Sequence, residues 1–327
     1  MKIRTNPTLA ALAAALALAL PAGALAQPAA ETKAAKPAAA APKAAAQKTF
    51  ATPEEAAKAL VDAVKAADAK AVLAVVGPKS ASWISSGDAV RDAEDWKRFA
   101  AAYDEKNAIV KEGDAKAILN VGKDDYPFAA PLVKRGNQWA FDAEAGRQEA
   151  INRRIGRNEL DTIQAMLAIV DAQRDYVEKD ADGNGLADYA ARLVSTPGKK
   201  DGLYWPAKVG EPLSPLGPLA AQAVAEGYGK QANTGKPQPF HGYFFRPLKS
   251  QGPHAAGGKY DYEVNGRMLG GFAVVAWPAK YGVSGVMSFV VNHDGVVFEK
   301  DLGPDTAAVA QKMTRFDPDK TWKKAQQ

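Results

Sequence analysis

A change in hydrophobic spacing along the chain is the feature that most restricts its fold. Between residues 149 and 178, apolar side chains recur every three to four positions, as on one face of a long helix. From Phe240 onward, apolar residues instead alternate or run together in short segments between glycines and turn residues, which is typical of strands. The helical face is predicted to consist of Leu160, Ile163, Leu167, Val170 and Val177, widened by Met166 and Ile169.

The strand-rich part predicts an antiparallel β meander. Residues 272–276 are apolar at both odd and even positions, which indicates a central strand buried on both faces. Asn292-His293-Asp294-Gly295 between two valine-rich runs predicts a hairpin. The predicted strands are residues 243–245, 260–264, 272–277, 286–291 and 296–298. Residues 149–327 are therefore expected to form a subdomain in which the long helix packs on this antiparallel sheet.

Residues 49–148 predict a smaller α+β subdomain of helices followed by an antiparallel ribbon. Thr52, Pro53 and Glu55 form a helix start with a capping box. A second helix is predicted for residues 68–76, before Gly77-Pro78, and a third carries Trp96, Phe99 and Tyr103 on one face. Strands are predicted at residues 115–121, 131–134 and 138–141. Helices and strands that are segregated along the chain place the whole protein in the α+β class.

The N-terminus predicts export. Lys2 and Arg4 precede an apolar run over residues 9–20, and Ala24-Leu25-Ala26 fits a signal-peptidase site, so residues 1–26 are predicted to be a cleaved signal peptide. The run is short for a membrane span, although an uncleaved anchor is the alternative. Without an Arg-Arg pair, a Sec-type route is expected. Localisation is thus predicted to be periplasmic or secreted, with no transmembrane span in the mature chain.

Residues 27–48 consist almost entirely of alanine, proline and lysine, which predicts a disordered tether. Six of the 42 basic residues and one of the 37 acidic residues lie in residues 1–48, which leaves 36 of each in residues 49–327. A body of balanced charge argues against nucleic-acid binding, which requires a concentrated basic surface. The absence of cysteine excludes disulfides, thiolate metal sites and a thiol nucleophile.

An acidic loop follows the long helix and predicts a calcium site. Asp180, Asp182, Asn184 and Asp188 stand at positions one, three, five and nine of a calcium-type loop, and Leu186 would offer its carbonyl at position seven. Ala191 occupies position twelve, where a bidentate carboxylate is expected. The alternative is a glycine-rich turn that ends the helix with solvated acids. Calcium is the one cofactor that the sequence predicts.

Three arginines cluster near the start of the long helix. Arg153 and Arg154 are adjacent and lie four and three positions before Arg157, and the three could contact an anionic ligand. The alternative is that they form pairs with neighbouring acids on the helix surface.

Two further patterns have structural alternatives. Ser284, with His241, His254 and His293 as candidate bases, could form a hydrolase triad, but it lacks the full Gly-x-Ser-x-Gly elbow and has the features of a turn residue. A set of aromatic residues could line a groove for sugar or peptide, or pack in the core. These are Tyr204, Trp205, Tyr243, Phe244, Phe245, Trp277 and Tyr281.

Three groups of motifs are more specific. Residues 126–160 contain YPF, PLV, WAFD and RRIGRNEL, residues 201–218 contain DGLYWP and SPLGP, and residues 241–285 contain HGYFF, GGFA and YGVSG. Together they resemble the domain of unknown function 2950 family of exported bacterial proteins. The resemblance implies one family unit over about residues 50–325, and it brings no established activity from which catalytic residues could be assigned.

The predicted function is a non-catalytic binding or scaffold module of the cell envelope. Its predicted partner is another envelope protein or a wall polymer. One alternative is a hydrolase of a periplasmic polymer that uses carboxylates brought together by the fold. Another is a calcium-dependent assembly component, because a long helix, an acidic loop and a β meander resemble the heads of pseudopilins.

Overall fold

A computed structural model describes residues 46–207, 210–228 and 238–326. The predicted signal peptide lies outside the described residues, as does the predicted tether up to residue 45. The Gln47 side-chain amide donates to the carbonyls of Val76 at 2.8 Å and Phe141 at 2.7 Å. Gln47 is therefore held by the folded body, one residue before the predicted end of the tether.

Helix starts follow the predicted capping chemistry. Thr52 Oγ1 accepts the Glu55 amide at 3.1 Å, and Asp68 Oδ1 accepts the Ala71 amide at 3.0 Å. The helices are α1 (Pro53–Lys65), α2 (Ala69–Val76), α3 (Ala81–Ile84), α4 (Ala89–Glu105), α5 (Ala143–Glu178), α6 (Gly217–Glu226) and α7 (Thr306–Lys312), with a 3₁₀ turn at Pro78–Ser80. Within the described ranges, no helix is long and apolar enough to cross a membrane.

The first sheet is antiparallel and follows the predicted ribbon. Its strands are β1 (Asn107–Lys111), β2 (Lys116–Val121), β3 (Tyr126–Pro127), β4 (Leu132–Arg135) and β5 (Gln138–Phe141), in the order β1-β2-β4-β5 with β3 paired to β2. Strand β1 was not predicted. Phe50 extends the β5 edge, because its amide and carbonyl bond those of Trp139 at 2.9 and 2.7 Å. Helices α1 and α2 pack on this sheet and form the first hydrophobic core.

The second sheet is the predicted antiparallel meander. Three short strand pairs lie outside this sheet. One is parallel and joins β6 (Arg192–Val194) to β7 (Gly202–Tyr204). The other two are antiparallel and join β9 (Ser250–Gln251) to β10 (Tyr260–Asp261) and β11 (Glu263–Val264) to β12 (Arg267–Met268). The strands of the second sheet itself are β8 (Tyr243–Leu248), β13 (Ala273–Pro278), β14 (Met287–Asn292), β15 (Phe298–Asp301) and β16 (Lys323–Lys324), in the order β16-β15-β14-β13-β8. Every residue of β13 is buried, as predicted for the central strand.

One predicted strand is interrupted. Residues 260–264 were expected to form a single strand, but they divide into β10 and β11 at Tyr262. The Tyr262 amide bonds the Lys249 carbonyl at 2.8 Å and its side chain is fully buried, so the chain turns inward there instead of joining the main sheet.

Helix α5 belongs to both cores. It has 36 residues, about 54 Å at 1.5 Å per residue. Ala143 and Ile151 in its first half are buried in the first core, while Met166 and Ile169 are buried in the second, between the sheet and α6. The prediction for Leu160 is wrong, because this side chain is 62% exposed. Near this position the buried face of α5 passes from the first core to the second, so Leu160 lies on neither buried face.

Candidate functional site

A pocket of about 220 Å³ lies in the first half of the molecule, among α1, α2, α3, α4, β3 and the first half of α5. We call it the arginine pocket, because Arg153, Arg154 and Arg157 line it. Their spacing of three and four residues places the three side chains on one face of α5. The structure therefore brings the three predicted anion contacts together at one cavity.

The remaining wall of the arginine pocket is mostly apolar. Its aliphatic part comes from α1 and α2 and its aromatic part from α3, α4 and the segment after β3. Phe99 and Phe128 pack with ring centroids 5.4 Å apart, which fixes one wall. The apolar lining includes Leu60, Val64, Val72, Val76, Trp83, Phe99 and Phe128.

Three contacts within the protein hold the Arg153 guanidinium. Its Nε bonds Glu149 Oε1 at 2.6 Å, its Nη1 donates to the Pro127 carbonyl at 2.7 Å, and its guanidinium lies 4.5 Å above the Tyr126 ring. The Glu149 pair is the helix-surface interaction that was the alternative prediction for this residue. Arg153 therefore holds β3 against α5.

Only part of the Arg157 guanidinium is hydrogen-bonded to described residues. Its Nη2 bonds Asp95 Oδ2 of α4 at 2.6 Å, whereas its Nε is buried and has no hydrogen-bond partner among the described residues. Asp95 also lies 3.7 Å from Arg91 and bonds Arg98, so three guanidinium groups share this carboxylate. Burial lowers the pKa of Arg157, and the Asp95 charge opposes that shift.

Arg154 has no carboxylate partner. Its Nη2 donates to the Trp83 carbonyl, and its buried Nη1 has no acceptor among the described residues. No described carboxylate approaches its nitrogens within ion-pair distance of 4.0 Å. Burial lowers the pKa of Arg154, while the charges of Asp92 and Asp95 raise it. An arginine stays protonated despite such shifts, so this cation is uncompensated at short range.

Asp92 is the second acid of the pocket. Burial raises its pKa, although its two carboxylate oxygens accept the Ser86 amide at 3.2 and 2.9 Å. The sequence analysis did not single out Asp92 or Asp95. Both face the pocket from α4, and only the packing of α4 against α5 brings them beside the arginines.

A series of ionisable side chains connects the pocket to the second half of the molecule. From Asp95 it passes to Arg91, whose Nη2 lies 2.8 Å from Asp161 Oδ2. Asp161 lies 3.6 Å from Nδ1 of His241, and His241 Nε2 lies 2.6 Å from Glu226 at the end of α6. Arg91 and His241 are both buried, so these pairs stabilise the junction in one arrangement.

The acidic loop at residues 180–188 closes on itself. Asp180 accepts the amides of Asn184 and Gly185 at 3.0 and 2.9 Å, and Asn184 Nδ2 donates to Asp182 at 2.6 Å and Asp188 at 3.0 Å. Leu186, the predicted carbonyl ligand, is half exposed and donates its amide to Asn184. The described residues contain no group of three or more His, Cys, Asp or Glu that could hold a metal ion. Calcium binding stays a prediction, which a melting curve recorded against calcium concentration tests.

The Ser284 triad is not assembled. Ser284 Oγ accepts the Lys280 amide at 2.9 Å and closes a turn, and none of the three histidines bonds it. The aromatic residues proposed for a groove mostly pack in the second core, where Tyr204, Tyr243 and Trp277 are buried. Ser284 is therefore a turn residue, and most of these aromatic residues are explained by core packing.

Fold and site define an α+β protein with two cores on one long helix and an arginine-lined apolar pocket. Within that class, the chain belongs to the family described as Protein of unknown function (DUF2950), whose family model matches residues 47–325. This confirms the resemblance that the motifs indicated. The match begins at Gln47, whose side-chain amide bonds the carbonyls of Val76 and Phe141. No curated protein and no solved structure matches the chain.

Proposed function

We propose that the protein is an exported, non-catalytic module of the cell envelope that binds a small anionic ligand in the arginine pocket. The observation that carries this proposal is a pair of buried guanidinium atoms, Arg154 Nη1 and Arg157 Nε, which have no hydrogen-bond partner among the described residues and belong to side chains that line a cavity with apolar walls. An unsatisfied buried donor is unfavourable, so a bound acceptor would stabilise the protein.

The cavity is of the kind that holds small ligands. Ligand sites are concave and mostly apolar, with a few convergent polar groups that fix orientation. At about 220 Å³ the arginine pocket exceeds a cavity of about 150 Å³ that binds benzene in another protein. The partner predicted from the sequence, another envelope protein or a wall polymer, requires a surface instead. The pocket favours a small molecule.

Export is the other half of the proposal, and residues 1–26 support it through their basic start, apolar run and small-x-small ending. Mass spectrometry of the mature protein from cell fractions tests it. We expect a periplasmic or secreted product that begins near Gln27. A chain that keeps Met1 and stays in the cytoplasm would overturn this half.

Ligand binding is tested by retention from an envelope extract. The folded protein is mixed with small molecules extracted from envelopes, separated by gel filtration and extracted with solvent, and the released compounds are identified by mass spectrometry. We expect an anionic compound with wild type and none with Ala150→Phe, because a ring on Ala150 would enter the pocket that this residue lines. Equal retention by both proteins, or none by either, contradicts the proposal.

A second candidate function, hydrolysis of a periplasmic polymer, is favoured by one observation. Asp92 and Asp95 both line the pocket, and burial raises the pKa of Asp92, as expected of a general acid. Release of soluble fragments from purified wall polymer tests it. We expect turnover that Asp92→Asn abolishes if this candidate is right. Because three arginines already hold Asp95, we place it second.

A further inference from the structure

The charge balance around the arginine pocket restricts the ligand more closely than its volume does. Arg153 is neutralised by Glu149, and Arg157 shares Asp95 with Arg91 and Arg98. Arg154 alone among the three lacks a carboxylate within ion-pair distance in the described part of the chain. Arg154 is therefore the one arginine of the three that no described carboxylate contacts directly, while the charges of Asp92 and Asp95 act on it from beyond 4.0 Å.

The two donors that have no partner among the described residues belong to neighbouring side chains of the pocket wall. Arg154 Nη1 and Arg157 Nε belong to side chains three residues apart on α5, which are neighbours on a helix surface. A carboxylate has two oxygens and accepts one hydrogen bond from each of two such donors. Both donor atoms are buried, so binding requires the two guanidinium groups to turn toward the cavity, and at Arg154 this turn disturbs the hydrogen bond to the Trp83 carbonyl.

The acids of the pocket exclude a ligand of higher charge. Asp92 and Asp95 line the same cavity as the arginines. A dianion such as a phosphate monoester would place its second charge beside these carboxylates, in surroundings where repulsion between like charges is poorly screened.

We propose, on the basis of the proposed function, that the ligand is a monocarboxylate with a compact apolar body, its carboxylate held by Arg154 and Arg157 and its body between Val72, Val76 and Phe128. The volume of about 220 Å³ fits a single ring with a short chain, or an alkyl chain of about eight carbons.

The experiment compares four probes that share one alkyl chain: octanoate, octanol, octylamine and octyl phosphate. Their affinities for the folded protein are measured by isothermal titration calorimetry at constant ionic strength. We expect octanoate to bind about tenfold to a hundredfold more tightly than octanol, which corresponds to two charge-assisted hydrogen bonds. Octyl phosphate and octylamine are expected to bind more weakly than octanoate.

Variants assign the selectivity to the two arginines. Arg154→Met is expected to reduce octanoate affinity about tenfold and to leave octanol affinity unchanged. Arg157→Met serves as the second variant in case the loss of the Trp83 contact unfolds the first. Arg174→Met is the matched control on the same helix, since Arg174 is exposed and pairs with Asp171 away from the pocket lining. Circular dichroism confirms that each variant is folded.

Equal binding of octanoate and octanol, tighter binding of octyl phosphate, or octanoate affinity unaffected by both arginine variants would overturn the ligand class. In those cases retention of another compound from the envelope extract would still uphold the proposed function. Absence of binding by all four probes at millimolar concentration also overturns the ligand class. The extract experiment with Ala150→Phe then decides separately whether the pocket binds anything.

Discussion

At the scale of single residues, two glycines of α5 differ in how closely other parts of the chain approach them. A Cβ on Gly146 would lie 2.5 Å from Ala130 Cα, whereas a Cβ on Gly156 would meet nothing within 4 Å. Glycine is normally unfavourable inside a helix, so Gly146 is explained by the close approach of the chain before β4. The backbone of α5 thus touches the segment that borders the arginine pocket.

We predict opposite effects of alanine at these two positions. Gly146→Ala is expected to lower the free energy of unfolding by about 1–3 kcal/mol, because a methyl group would overlap the Ala130 backbone. Gly156→Ala is expected to raise it by about 1 kcal/mol through helix propensity. Urea denaturation followed by circular dichroism measures both. Stabilisation by both substitutions would show that α5 and residue 130 are not in contact.

The raised pKa of Asp92 predicts a pH dependence of stability. Burial holds this pKa above its unfolded value, so the folded state binds more protons in the window from about pH 4 upward to the folded pKa. The contribution of Asp92 to the free energy of unfolding therefore falls as the pH rises through that window. Asp92→Asn removes this contribution, and we expect the variant to gain stability relative to wild type as the pH increases. Parallel curves of unfolding free energy against pH would contradict this.

At the scale of elements, local chemistry predicted helix ends well. Thr52 and Asp68 cap the helices that follow them, and Gly77 ends α2. The start of α5 was placed six residues too late, although Asp142 accepts the amides of Glu144 and Ala145 as an ordinary cap. The apolar periodicity begins only further along the helix, and the prediction followed periodicity rather than the cap.

The apolar face of α5 predicts unequal effects of truncation. Met166→Ala is expected to lower the free energy of unfolding by about 2–5 kcal/mol, because Met166 is fully buried and truncation leaves a cavity. Leu160→Ala, six residues earlier on the same helix, is expected to change it by less than about 0.5 kcal/mol. Chemical denaturation of the two variants tests this. A large loss for Leu160→Ala would restore the face predicted from the sequence.

The arginine pocket marks the limit of prediction from the sequence. Helical spacing was sufficient to place Arg153, Arg154 and Arg157 on one face. Their acidic neighbours Asp92 and Asp95 come from α4, and nothing local in the sequence indicates which face of α4 meets α5. Long-range packing decides which face of α4 meets α5. It also decides that β10 pairs with β9 and not with the main sheet.

At the scale of the whole molecule, Asp88 joins the two halves. It is 2% exposed, and its Oδ2 accepts the Tyr228 hydroxyl at 2.7 Å and the Gly242 amide at 3.0 Å. Its Oδ1 accepts the amides of Val90 and Arg91 and caps α4. One side chain of the first half thereby orders two segments of the second.

Asp88→Asn is expected to lower the free energy of unfolding by about 2–4 kcal/mol, because the amide nitrogen would face the Gly242 N–H and leave it without an acceptor. Asp104→Asn is the control, since Asp104 is exposed and forms a surface pair with Lys65. Hydrogen exchange measured on amides of β4 and β13 should show faster opening of both halves. An effect confined to one half would mean that the halves unfold independently.

The position of α5 also governs how a growing chain acquires structure. A ribosome that has released only residues 46–142 has released α1 to α4 and all five strands of the first sheet, but not Ala143 and Ile151, which complete their core. During that interval the core that α1 and α2 form on the sheet lacks the side chains of α5, so its apolar surface is incompletely covered. Chaperones that shield such surfaces are therefore expected to engage the emerging protein until the helix arrives.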